Sequence, residues 1–171
     1  MKVAVLTISD RSSSGERKDL SGPRVAQQIL NQGWAVVRTD ILSDERSGIE
    51  SYLTETCDSG QVDLILTTGG TGMAPRDQAP EATQAVIERN VPGLVEAMRF
   101  ASLQKTPHAM LSRAVAGIRG CTLIINLPGS PGAASENLAV ILPVLEHAIA
   151  LLQDRPDAES GHQAKPKSRM V

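Results

Sequence analysis

Val62-Asp63-Leu64-Ile65-Leu66-Thr67-Thr68-Gly69-Gly70-Thr71-Gly72 is the stretch on which the fold turns. Its apolar centre runs without alternation, the pattern of a strand covered on both faces of a sheet. The glycines then end the strand in a loop whose bare backbone can come close to a phosphate. Arg76-Asp77 and the helix-opening Pro80-Glu81 follow within a few residues, so a cation and a carboxylate stand beside that loop.

Working outward, Val3 to Ile8 reads as a first strand and the polar Ser9 to Gly15 as a mobile loop. Val25, Ile29 and Leu30 recur at helical spacing from Pro23, with Ser21 as cap and Gly33 as stop. Trp34 to Leu42 is the second strand, and Ile49, Tyr52, Leu53 and Thr56 mark the next helix. Beyond the glycine loop, Glu81 to Arg89 and Gly93 to Gln104 read as helices. Ala114 to Ile118 and Thr122 to Leu127 read as a hairpin around Arg119-Gly120. Ala133 to Leu152 is a closing helix that Pro143 must kink or restart. Alternating strands and helices predict an α/β fold with parallel βαβ units, and the hairpin makes the sheet mixed. One domain over residues 1–153 and a disordered polar tail over 154–171 complete the expectation.

Composition excludes several classes. A net charge of −2 and 2% aromatic residues supply neither the basic surface nor the stacking rings that nucleic acid requires. Cys57 and Cys121 lack CxxC partners, and His108, His147 and His162 lack metal-ligand spacing, so reduced core thiols in a cytoplasmic protein are expected. The first residues are too short for a signal segment, and no uninterrupted apolar run reaches the ~18 residues of a membrane span.

Familiar site motifs are also missing. There is no Gly-Lys pair for a Walker loop, and Gly70-Thr71-Gly72 lacks the third glycine of the dinucleotide fingerprint. Pro128-Gly129-Ser130-Pro131-Gly132 misses the nucleophile elbow because proline takes the first glycine position. Two glycine-rich turns at the C-terminal edge of one sheet remain, where α/β folds usually bind ligands. Asp77 and Asp44 can converge there, and two carboxylates facing phosphates suit Mg²⁺. Each element also has a plainer reading: glycine serves turn geometry, Asp44 a solvated turn, Ser130 a turn hydroxyl and Arg113 a surface cation.

Leu6-Thr7-Ile8-Ser9-Asp10, Thr67-Thr68-Gly69-Gly70-Thr71-Gly72, Arg76-Asp77, Pro80-Glu81-Ala82-Thr83, Leu111-Ser112-Arg113 and Leu127-Pro128-Gly129-Ser130-Pro131, in this order, resemble the MogA/MoaB family of molybdenum-cofactor biosynthesis proteins. The resemblance runs from residue 3 to about residue 150. It implies a three-layer α/β/α, molybdopterin-binding domain, usually a cytoplasmic homotrimer. It also implies Mg²⁺-dependent transfer of AMP from ATP to the terminal phosphate of molybdopterin, with pyrophosphate released. A non-catalytic molybdopterin carrier of the same fold is the alternative, and a molybdenum-insertion protein the implied downstream partner.

The resemblance assigns catalysis and metal binding to Asp77 and Asp44. It assigns nucleotide contacts to Gly69, Gly70, Thr71, Gly72 and Arg76, and pterin-phosphate contacts to Gly129 and Ser130, with Arg113 among the binding residues. One departure is Ala79, where the family commonly has threonine. With Pro80 as the first helical residue, Ala79 is expected at the N-cap, a loss of about 1 kcal/mol that would loosen the start of the helix beside Asp77.

Overall fold

A computed structural model describes residues 1–156 of the chain. Its central sheet has the order β2-β1-β3-β6-β5-β4. β1 (Lys2–Ile8), β2 (Ala35–Leu42), β3 (Leu64–Thr68) and β6 (Thr122–Leu127) are parallel. β5 (Ala116–Arg119) and the short β4 (Arg89–Asn90) complete the sheet in antiparallel pairing, so the mixed sheet and its hairpin are as expected.

Alternate strand residues feed two separate cores. Val3, Val5, Leu64, Leu66, Leu123 and Ile125 face α2 (Ser21–Asn31), α5 (Pro92–Leu103) and α6 (Pro131–Leu152). Ala4, Leu6, Ile8, Ile65 and Ile124 face α3 (Arg46–Asp58) and α4 (Ala79–Val86). This two-sided burial explains the uninterrupted apolar strands, and it makes the domain three layers thick. α6 is the one helix among the described residues long and apolar enough by composition to cross a membrane. Here its stripe of Leu138, Ile141, Leu145 and Ile149 is buried in the core. Pro143 neither splits the helix nor restarts it: Pro131–Leu152 is one continuous element.

Several local expectations change. Ser9 to Gly15 is not simply a loop, because Asp10–Ser13 forms a short helix, α1, capped by the Ser9 hydroxyl accepting from Ser12 N. Ser21 is the first helical residue of α2 rather than its cap. Asp19 does the capping, with its Oδ1 accepting from Ser21 N at 2.9 Å and Gly22 N at 3.2 Å. A 3₁₀ turn at Pro107–Leu111, with no helical or strand periodicity to betray it, links α5 to β5. Only Cys57 is a core thiol, which burial pushes up to about 11, whereas Cys121 is exposed at the β5–β6 turn. The tail expectation falls mostly outside the described residues; Gln153 to Arg155 close α6, with Arg155 N donating to Ala150 O at 3.0 Å.

Candidate active site

The parallel strands deliver their C-terminal ends to one edge in near-level register: Ile8 lies opposite Leu42, Thr7 opposite Thr68, and Thr68 opposite Leu127. The chain passes from β1 to one side and returns on the other as β3, so the switch point of the sheet lies between these two strands. Four loops meet there: Ser9-Asp10, Ser43-Asp44, Gly69 to Asp77, and Pro128 to Ser130. Every residue singled out from the sequence sits in them except Arg113, which reaches in from the segment before β5.

The glycines are shaped by close approach. Gly69 has φ +101°, and a Cβ there would collide with the carbonyl oxygen of Ile8. Gly70 has φ +61°, and its Cβ would stand 3.0 Å from Asp44 Oδ1 and 3.2 Å from the Ala79 methyl. A Cβ on Gly129 would stand 3.1 Å from the Gly69 Cα, so the two glycine turns touch one another. The plain geometric reading therefore holds for Gly69 and Gly129, and the same lack of side chains leaves the backbone around Asp44 bare.

Asp44 and Asp10 hold each other: Asp10 N donates to Asp44 Oδ2 at 2.8 Å, and Asp44 N donates to Asp10 Oδ1 at 3.0 Å. Arg76 grips both Asp10 oxygens, at 2.9 and 3.1 Å, and lies 3.6 Å from Glu45. The Arg76 hydrogen bond pulls the Asp10 carboxyl below its ordinary value. Asp44 moves the other way, raised first by burial and then by the charges of Asp10 and Asp77. Asp77 closes its own turn: Ala74 N donates to its Oδ2 at 2.9 Å, and Asp77 N donates to Ala74 O at 2.9 Å. Asp44 Oδ1 and Asp77 Oδ1 accept no hydrogen bond among the described residues. Asp44 thus spends one oxygen on the neighbouring Asp10 loop and Asp77 one on its own, and each keeps the other free of hydrogen bonds.

No group of three or more His, Cys, Asp or Glu side chains among the described residues is arranged to hold a metal ion. A protein-only cage is thus absent among the described residues, and a pair of carboxylate oxygens free of hydrogen bonds is a donor set suited to Mg²⁺ that takes its other ligands from phosphate and water. The mutual repulsion that raises Asp44 is also what a bound cation would relieve.

Ser130 is the N-cap residue of α6 in position, but its hydroxyl makes no cap hydrogen bond and is exposed. The start of α6 thus offers unsatisfied backbone N–H groups and a free hydroxyl. Beside Thr71 and Gly72 opens a pocket of ≈ 290 Å³ between α5 and α6, lined by Val95, Met98, Leu111 and Pro128 with Ser102 and Asn137 among its polar groups. Arg113 is half-buried and faces the glycine loop: Nε donates to Gly72 O at 2.6 Å, Nη2 to Asp77 O at 2.6 Å, and Nη1 pairs with Glu81.

Ala79 is not the N-cap. Gln78 is, and Ala79 is the first residue of α4, fully buried, its N–H donating to Gly70 O at 3.2 Å. The expected loss of a threonine cap therefore does not arise at this position. Asp10, Glu45 and Glu81 are charged groups of the site to which the sequence reading gave no role. For Asp10 a signal existed: Ile8-Ser9-Asp10 ends β1 as Leu42-Ser43-Asp44 ends β2, and Ile8 and Leu42 are register partners.

Residues 4–147 match the family described as "Probable molybdopterin binding domain". A molybdopterin adenylyltransferase of Helicobacter pylori is 44% identical over 153 residues, 88% of this chain and 86% of that one. Gephyrin of Dictyostelium discoideum is 43% identical over 95% of this chain, which spans only 24% of gephyrin's length. Among solved structures, the molybdopterin biosynthesis enzyme MoaB of Thermus thermophilus superposes with a TM-score of 0.85 at 47% identity, covering 91% of this chain and 98% of that one. Matched by the family over residues 4–147 and by these relatives over nearly the whole domain, the chain belongs to the molybdopterin-binding family that includes MogA and MoaB.

Proposed function

We propose that this chain is a molybdopterin adenylyltransferase of molybdenum cofactor biosynthesis, a nucleotidyltransferase that moves AMP from ATP to the terminal phosphate of molybdopterin. Its near-full-length similarity to the Helicobacter enzyme of that name supports the reading. The observation that carries it is that Asp44 Oδ1, which faces Gly70, and Asp77 Oδ1 accept no hydrogen bond among the described residues, beside a bare glycine loop at the sheet's switch point.

An oxygen of the pterin's phosphate attacks the α-phosphorus of ATP and a new P–O bond forms. The bond from that phosphorus to the β-bridging oxygen breaks, and pyrophosphate leaves with the electron pair. Such a displacement needs alignment and charge neutralisation and no covalent nucleophile. Asp44 and Asp77 would hold Mg²⁺, which neutralises phosphate charge when bound. Gly69 to Gly72 let the ATP phosphates approach the backbone, and the start of α6 at Gly129-Ser130 receives the pterin phosphate. The pocket beside Thr71 and Gly72 has the apolar lining that suits a planar heterocycle. Arg76, held by Asp10 and Glu45, stands where it can turn toward a nucleotide phosphate.

A homotrimer acting in the cytoplasm, with its product passed to a molybdenum-insertion protein, completes the proposal. Light scattering that gave a monomer mass would remove the trimer. Incubation of the purified protein with ATP, Mg²⁺ and molybdopterin should yield adenylylated pterin and pyrophosphate. Bound pterin without product would instead make the chain a carrier.

A further inference from the structure

We infer that Arg113 and Glu81 form a positioning pair that fixes Asp77 for turnover, with Arg113 acting through the loop and not on the substrate. The inference rests on the role of Asp77 in the proposed function. Its basis is that all three nitrogens of the Arg113 guanidinium are engaged. Nε holds Gly72 O and Nη2 holds Asp77 O, both at 2.6 Å, while Nη1 pairs with Glu81 in the first turn of α4. The Arg113 backbone adds a fourth link, its N–H donating to Thr71 O at 3.0 Å.

These links tie both ends of the segment Thr71 to Asp77 to one residue, and its side chain is tied in turn to the helix that follows. A planar guanidinium can bridge two carbonyls and a carboxylate in fixed directions; a flexible ammonium cannot. Within the segment, the only closure is the small ring formed by Ala74 and Asp77. Without the brace, the Asp77 carboxylate would sample positions away from Asp44, and misplacement of about 1 Å is enough to cost a reaction of this kind dearly. Glu81 is the counter-anchor: its Oε1 takes Arg113, while its Oε2 is buried without a hydrogen bond among the described residues, so the pair is held in place by packing and charge. The ion pair also offsets the Arg113 charge, leaving the guanidinium less available to a phosphate.

The test uses the full chain in Arg113→Lys and Glu81→Gln, with wild type and Asp77→Asn alongside. Amide hydrogen exchange at Ala74 and Asp77 in the ligand-free protein reads the loop without any reaction. Steady-state kinetics then separates kcat from KM. In Arg113→Lys these amides should exchange at least about tenfold faster, and kcat should fall about 30-fold while the KM for ATP moves less than about threefold. Glu81→Gln should show the same pattern at smaller amplitude, and it answers the question if Arg113→Lys does not fold. Unchanged exchange overturns the inference whatever the activity does. Faster exchange with kcat retained overturns it too, as does a KM increase larger than the loss in kcat. If Asp77→Asn turns over normally, the role of Asp77 fails, and the exchange data still say whether the brace exists.

Discussion

The two glycine turns at the ligand edge look alike in composition and differ in what their glycines do. Gly69 and Gly70 lie in the left-handed region, at φ +101° and +61°, pressed against Ile8, Asp44 and Ala79. Neither Gly129 nor Gly132 has a positive φ; Gly129 is constrained only by its approach to the Gly69 Cα, and a Cβ on Gly132 would meet nothing within 4 Å. The first turn is a packed corner flanked by acids, in which each glycine is required by its neighbours. The second is the start of a long helix, whose exposed N–H groups would be present with most residue types. Glycine enrichment marks both, and only the surroundings separate an acid-flanked corner from an open helix end.

Catalysis should break this symmetry most. Asp77→Asn is expected to lower kcat by about two to three orders of magnitude, the usual loss on removing a group that stabilises transition-state charge. Ser130→Ala should cost no more than about tenfold, mainly in KM for the pterin, since the backbone of the second turn survives. Comparable losses in the two would mean that the turns share one role.

Stability should separate them next. Gly69→Ala forces a side chain into Ile8 O at a φ that only glycine adopts readily, and should destabilise by about 3 kcal/mol or more. Gly132→Ala should stay within about 0.5 kcal/mol of wild type in urea unfolding, because alanine favours the helix. Asp19→Ala, outside both turns, removes the partner of Thr7 Oγ1 and of the Ser21 and Gly22 amides, and should cost about 1–2 kcal/mol.

The smallest effect is a matter of pH. Asp44 is raised above its ordinary value of 3.8, so its ionised form, the one able to hold a cation, is lost at a higher pH than for a free aspartate. Activity should therefore show an acid limb above the usual aspartate range, and the limb should shift when Asp10 is replaced by Asn. The linkage sign follows: a raised folded pKa means that ionising Asp44 weakens the fold as pH climbs past the unfolded value. Asp44→Asn should thus unfold no earlier than wild type at pH 7 while losing turnover, a trade common at functional sites. Asp10 has the opposite sign, its lowered pKa contributing stability above the ordinary value that is lost as pH falls. Thermal unfolding of Asp44→Asn across pH checks the first sign, and a lower melting temperature at pH 7 would contradict it.

Much of this was legible beforehand for physical reasons. β3 and β6 carried uninterrupted apolar runs and the helices a clear period, because the strands are buried on two sides and the helices on one stripe, and burial is what selects apolar residues. The short α1, the two-residue β4 and the 3₁₀ turn were not legible, since so few residues carry no period and tertiary contacts hold them in place. The same limit misplaced the start of α4, where Ala79 is fixed by Gly70 O and not by a cap.

By itself, then, the sequence determined the strand and helix alternation, the mixed sheet, the family, and the edge at which Asp44, Asp77 and the glycines would gather. Those follow from local pattern and from the rule that parallel strands end together. Tertiary structure alone decided which oxygens of Asp44 and Asp77 stay open, that Asp10 and Arg76 share one ion pair, and that Arg113 turns inward onto Gly72, Asp77 and Glu81. These contacts join residues as many as 66 positions apart. Their distances depend on the packing of whole elements, which no local pattern encodes.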